Sequence, residues 1–122
     1  MNRAIFLDRD GTLNHDEGYT YKTQDFRLLP NVIPALKLLT KQFKLFIITN
    51  QSGVSRGYYT LEDVKKFNST MLKEFEKEAI QIKEIYICPH HTGDNCECRK
   101  PSPKFIKDAE KLGAITQGAE LH

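Results

Sequence analysis

Asp8 and Asp10 close the segment Ile5-Phe6-Leu7-Asp8-Arg9-Asp10-Gly11-Thr12, in which an apolar strand runs into two carboxylates separated by a single residue and then a glycine. Side chains of extended backbone repeat every two residues, so both acids can face one pocket. Close carboxylates repel unless a cation or a shared proton relieves them, which suits the pair to Mg²⁺ or to acid–base work. A solvated turn uses the same residue types, but two further segments weigh against it. Thr49-Asn50-Gln51-Ser52-Gly53 follow the apolar run 44–48 and offer hydroxyls, an amide and loop N–H groups to phosphate oxygens. Lys100 stands before Pro101, which disfavours helix at the lysine, so its charge is expected on a loop just before a helix, where it could serve a phosphoryl group and Asp8. A separate constellation, Cys88 and the His90-His91 pair with Cys96-x-Cys98, supplies three thiolates and an imidazole, the tetrahedral donor set of a closed structural Zn²⁺.

Ligands of open α/β sheets sit beyond the carboxyl ends of the strands, so the remaining elements must bring those ends together. Strands are expected over residues 3–7, 44–48 and 84–87, with a polar, irregular stretch over 15–29. Asn31 is expected to cap a helix over 32–42 with Pro34 in its first turn. Thr60 and Asp63 fit a capping box, and the helix behind them places Val64, Phe67, Met71 and Phe75 on one face. Ser102 and Pro103 open a further helix through Leu112. Strands alternating with helices predict an α/β, Rossmann-like parallel sheet with helices on both faces, built as a single domain.

The 122 residues suffice for one core, and 39% hydrophobic with 28% charged residues is a globular composition. A formal charge of +2 is too small to argue for nucleic acid or an anionic membrane surface. No apolar stretch approaches the roughly 20 residues of a membrane span, and no signal-peptide core is visible, so the expected location is cytoplasmic. Three clustered cysteines in that compartment favour metal over disulfides.

Taken together, Asp8-Arg9-Asp10-Gly11-Thr12, Thr49-Asn50 after an apolar strand, and Lys100 before a helix resemble motifs one to three of the haloacid dehalogenase superfamily of phosphatases. Gly18-Tyr19, Arg56-Gly57, and Cys88-Pro89-His90-His91 leading to Cys96-Glu97-Cys98-Arg99-Lys100-Pro101 narrow the resemblance to its heptose bisphosphate and histidinol-phosphate phosphatase branch. The resemblance implies a capless fold in which Asp8 attacks phosphorus and Asp10 serves as acid and base. It implies Mg²⁺ on an Asp8 oxygen and the Asp10 main-chain carbonyl, with Thr49 and Lys100 holding the phosphoryl oxygens. Asp16, Glu17, Gly18, Tyr19, Asn50, Gln51, Ser52 and Arg99 would line the sugar. The family pattern selects His90 rather than His91 for the zinc, whose role would be to pin the loop 88–98 that delivers Arg99 and Lys100. The implied substrate is a small phosphorylated sugar, foremost a heptose 1,7-bisphosphate losing its 7-phosphate, with histidinol phosphate second. A DNA 3′-phosphatase shares Thr49-Asn50-Gln51, but the cysteine loop and the near-neutral charge weigh against it.

The superfamily carries a fourth motif, an acidic pair after a further strand, and residues 114–122 hold no match for it. Nothing there reads as an apolar strand, and Glu120 lacks the context. The expectation is that the strand bearing Asp8 becomes a sheet edge, which invites pairing with a second copy of the chain, and that Mg²⁺ lacks one carboxylate. A catalytically impaired, zinc-stapled assembly module is therefore the competing reading.

Overall fold

Apolar runs without alternation belong to strands covered on both faces, and the two in this chain form the centre of the sheet. The computed structural model describes residues 3–90 and 120–121. In it β1 (Ala4–Leu7) pairs in parallel with β2 (Lys44–Asn50), Ile5 beside Leu45 and Leu7 beside Ile47. Parallel strands need crossovers. The first carries α1 (Val32–Leu39), and the second carries the short α2 (Ser52–Ser55) and α3 (Leu61–Lys77) before β3 (Ile82–Cys88). Leu7, Leu45 and Ile47 pack with Val32 and Leu36 of α1 and with Met71 and Phe75 of α3. The opposite face stacks Phe6 on Phe46 at 4.7 Å between ring centroids, with Tyr86 beyond at 6.4 Å. The helix expected from Ser102 to Leu112 lies outside the described residues.

The capping box is present as expected: Thr60 Oγ1 accepts from Asp63 N at 3.1 Å, and Asp63 Oδ2 accepts from Thr60 N at 2.9 Å. Asn31 behaves otherwise. It adopts φ 68° and makes no side-chain cap, because its short polar side chain tolerates the left-handed turn that carries the chain into the helix. The helix also stops at Leu39, where Gln42 and Phe43 donate back to the Leu39 carbonyl and turn the chain toward β2. β2 and β3 both outrun their expected lengths, so Thr49 and Asn50 are the last residues of a strand. The stretch after β1 holds a 3₁₀ turn, Thr23–Asp25, and isolated bridges of Asn14 with Asp10 and with Leu28.

The expected open edge is corrected. A fourth strand, β4 (Glu120–Leu121), pairs in parallel with β1, Ile5 beside Glu120 and Phe6 beside Leu121, giving the order β3-β2-β1-β4. The strand bearing Asp8 is therefore internal, and the argument for a homo-oligomer through that edge falls. Two residues, one of them charged, are too short for a periodic signal, and only the available row of β1 donors and acceptors makes them a strand. Among the described residues, no helix is long and apolar enough to cross a membrane.

Candidate active site

The backbone parity of β1 continues past its end. Arg9 shares the parity of Leu7 and enters the α3 side of the sheet, where it is fully buried. Its guanidinium lies 4.4 Å from the centroid of Phe67, and its Nη1 donates to Asn68 Oδ1 at 2.9 Å. Nη2 also donates to the Thr20 carbonyl at 3.2 Å. The remaining edge of the fork grips Asp10: Nε to Oδ1 at 2.9 Å and Nη2 to Oδ2 at 3.1 Å. A buried charge is tolerated when it is paired and its hydrogens are satisfied, and Arg9 meets both conditions.

Asp10 takes two more donors. Asn14 Nδ2 reaches Oδ1 at 3.1 Å, and Gln51 Nε2 reaches Oδ2 at 2.9 Å. Gly11 makes this possible: at φ 78° it lets residues 11–14 curl back so that the Arg9 carbonyl accepts from Leu13 and Asn14. Asp8, one residue before Arg9, accepts from the Arg9 main-chain N–H at 3.0 Å.

Asp16 caps a second tight turn. Its Oδ1 accepts from Gly18 N at 2.9 Å and Thr20 Oγ1 at 3.3 Å, and both Gly18 and Tyr19 have positive φ. This turn holds Tyr19 beside the end of β1, edge-on to Tyr58 with centroids 4.8 Å apart. The loop after β2 is tied to β3 through Gln51 N donating to the Cys88 carbonyl at 2.7 Å. Next to it Tyr59 is buried, stacked on Tyr21 at 4.9 Å, with its hydroxyl donating to Gln51 Oε1 at 2.7 Å. Burial pushes the Tyr59 phenol up to about 12, against the opposing pull of the Arg9 charge.

These turns enclose a cavity of about 400 Å³ lined by Asp8, Asp10, Asp16, Gly18, Tyr19, Asn50, Gln51, Ser52 and Tyr59. Eight of the residues singled out from the sequence thus meet at the carboxyl ends of β1 and β2. Glu17 does not join them; its exposed carboxylate lies 3.6 Å from His15 Nε2. Thr49 sits behind the cavity wall, where its hydroxyl accepts from Gln51 Nε2 at 2.8 Å. Arg99, Lys100, Cys96 and Cys98 lie outside the described residues. Cys88 is buried, 3.8 Å from His90 Nδ1. Among the described residues, no group of three metal-ligating side chains occurs.

Sequence reasoning passed over Arg9, Asn14, Asn68 and Tyr59. Asn68 left a trace, being the one amide on the apolar stripe of α3, four residues after Val64. Arg9 left another, because alternation sends it away from the two acids it separates. Nothing in the sequence pairs Tyr59 with Gln51.

Three carboxylates and no basic side chain line the described cavity. Such a pocket accepts a phosphate only beside a cation, and an all-oxygen donor set is what Mg²⁺ takes. The Asp10 carboxylate already accepts from Arg9, Asn14 and Gln51, so Asp8 and a main-chain carbonyl are the fitting ligands.

A family model described as polynucleotide kinase 3 phosphatase matches residues 3–116. The chain is 46% identical over 109 residues to D-glycero-alpha-D-manno-heptose-1,7-bisphosphate 7-phosphatase of Campylobacter jejuni, an alignment covering 88% of this chain and 62% of that protein. It is 43% identical over 112 residues to D-glycero-beta-D-manno-heptose-1,7-bisphosphate 7-phosphatase of Helicobacter pylori, covering 90% and 64%. The chain therefore spans less than two thirds of the length of these relatives. The crystal structure of D,D-heptose 1,7-bisphosphate phosphatase from B. bronchiseptica, complexed with magnesium and phosphate, superposes with a TM-score of 0.85 at 29% identity, over 99% of this chain and 69% of that one. By sequence and by its haloacid dehalogenase-like α/β fold, the chain belongs to the polynucleotide kinase 3 phosphatase family.

Proposed function

We propose that the chain is a single-domain, Mg²⁺-dependent phosphatase that removes the 7-phosphate of D-glycero-D-manno-heptose 1,7-bisphosphate. The observation that carries this is the convergence of Asp8 and Asp10 with Asp16, Tyr19, Asn50 and Ser52 on one cavity large enough for a sugar phosphate. Asp8 attacks phosphorus and forms an aspartyl phosphate, which splits hydrolysis into two displacements. Asp10 gives a proton to the departing sugar oxygen and later takes one from the attacking water. The Arg9 fork and the Asn14 amide hold Asp10 for both steps. Lys100 steadies the phosphoryl oxygens, and Asp16, Gly18, Tyr19, Asn50, Ser52 and Arg99 surround the sugar, with Thr49 bonded to Gln51 behind the cavity wall and Glu17 turned away to His15. Asp8 and the Asp10 carbonyl would hold Mg²⁺, which would neutralise the crowded negative charge.

The same reading gives Cys88, His90, Cys96 and Cys98 to a structural Zn²⁺ that braces residues 88–98. Zinc needs Cys88 as a thiolate, and the cytoplasm, where we place the protein, keeps thiols reduced. The family description keeps a polynucleotide 3′-phosphate in view as a second substrate. A net charge of +2 supplies little of the phosphate neutralisation that nucleic-acid binding depends on, which favours the sugar.

Phosphate release tests the proposal directly. With Mg²⁺ present, heptose 1,7-bisphosphate is expected to turn over faster than histidinol phosphate or a DNA 3′-phosphate, and Asp8→Asn to abolish turnover with the fold intact. Undiminished release by Asp8→Asn removes Asp8 as nucleophile. Preference for the DNA end replaces the sugar reading with the polynucleotide one.

A further inference from the structure

Gln51 stands among the cavity-lining residues, yet only 1% of its surface is exposed, and its amide is spent inside the protein. Nε2 divides its hydrogens between Asp10 Oδ2 at 2.9 Å and Thr49 Oγ1 at 2.8 Å, while Oε1 accepts from Tyr59 at 2.7 Å. Asp10 Oδ1 is crowded by Arg9 Nε, Arg9 Nη2 and Asn14 Nδ2. Oδ2 shares the Nη2 hydrogen with Oδ1 and has Gln51 as its own donor. Oδ2 is thus the oxygen left to face a departing group, and the Gln51 amide sets its direction.

We propose that Tyr59 is a positioning residue for Asp10, acting through Gln51, rather than a sugar-contacting wall of the cavity. The inference rests on the reading of Asp10 as the proton donor to the leaving group. An amide buried to this degree keeps one orientation only while each end has its partner. The Tyr59 hydroxyl is the partner of Oε1 among the described residues. Without it Oε1 is a buried orphan that finds relief by rotating the amide, and rotation carries Nε2 away from Oδ2. Tyr59 is itself fixed: its ring lies on Tyr21, and a Cβ at Gly53 would overlap ring atoms Cε2 and Cζ and stand 2.7 Å from the hydroxyl. The phenol stays protonated at working pH, since burial holds it to about 12, so it remains a donor. Through bonds to Gln51 and stacking on Tyr21, the chain around the cavity mouth thereby reaches the proton-transferring carboxylate.

Leaving-group dependence separates positioning from mere support. A sugar alcohol departs only with a proton, whereas p-nitrophenolate departs without one, and kcat/KM reports on the steps through loss of the leaving group. For Tyr59→Phe, kcat/KM on heptose 1,7-bisphosphate is expected to fall about 10-fold or more, a fraction of the full effect of general-acid catalysis. On p-nitrophenyl phosphate it is expected to fall less than about 3-fold by the same reasoning, with KM for the sugar unchanged. Gln51→Met, which keeps volume and removes the amide, is expected to show the same split, and the double variant to be no worse than Gln51→Met alone. Equal losses on both esters, or none, overturn the proposal, as does additivity in the double variant. If Tyr59→Phe fails to fold, the split in Gln51→Met decides. Asp10→Asn serves as the reference. If it discriminates between the esters and Tyr59→Phe does not, the positioning role alone falls. If Asp10→Asn itself fails to discriminate, the acid reading falls and takes this inference with it.

Discussion

Arg9→Met asks how much of the fold depends on one buried guanidinium. Methionine fills most of the volume and keeps the contact with Phe67, but it leaves Asp10 with only Asn14 and Gln51 as side-chain donors among the described residues and removes the Arg9 donor from Asn68 Oδ1 and the Thr20 carbonyl. Breaking a buried charge pair by removing one partner costs about 3–5 kcal/mol. The Asp10 side chain is 19% exposed, so water relieves part of its isolation, and the lower end, about 3 kcal/mol, applies. That is a large share of the roughly 5–15 kcal/mol that holds a domain together. At about 4 °C per kcal/mol for a domain of this size, the melting temperature drops by roughly 12 °C. Arg9→Lys keeps the charge but cannot grip Asp10 with two bonds while reaching Asn68, so it falls between wild type and Arg9→Met. Circular dichroism followed through thermal and urea unfolding measures both, with an unchanged urea slope confirming that the same surface is exposed. A loss under about 1 kcal/mol for Arg9→Met, the scale of an exposed pair, refutes the assignment of Arg9 as the internal tie between β1 and α3.

Gly53→Ala drives a methyl group into the Tyr59 ring and is expected to cost about 1–3 kcal/mol as overpacking does; an unshifted urea midpoint contradicts that packing. Of the five tyrosines, Tyr59 is expected to ionise near 12, as a late step in the ultraviolet titration of tyrosinate that Tyr59→Phe removes. Its folded value is raised above the usual 10, so its contribution to stability is complete below pH 10 and is lost as pH climbs toward 12; a wild-type stability flat across that window argues against it. The reduced protein is expected to carry one zinc per chain, and chelation or Cys96→Ser to lower the melting temperature. A reduced protein with no bound zinc discards the zinc loop.

The elements were legible because their signals are local. Apolar runs at 44–48, the capping box at Thr60 and Asp63, and the stripe Val64, Phe67, Met71 and Phe75 each act within a few residues, and the structure has them where the spacing put them. The cap at Asn31 misled because a residue type suited to capping is equally suited to a left-handed turn, and only the approach to α1 chooses. The pair Glu120 and Leu121 carries no pattern, since two residues have no period, and becomes a strand by finding the open side of β1.

The same division runs through the cavity. Alternation along β1 was enough to place Asp8 and Asp10 on one cavity at the strand ends. Which side chains surround Asp10 was another matter. Gln51 comes to it across 41 residues of chain, and Arg9 meets Asn68 across 59. Contacts over such separations follow from how strands register and how α3 lies on the sheet, and no window along the sequence contains both partners. Residue identity and spacing therefore settle which groups are present and which way each strand turns them. Packing settles which hydrogen bonds those groups then make, because a buried donor or acceptor takes the partner that folding brings within reach.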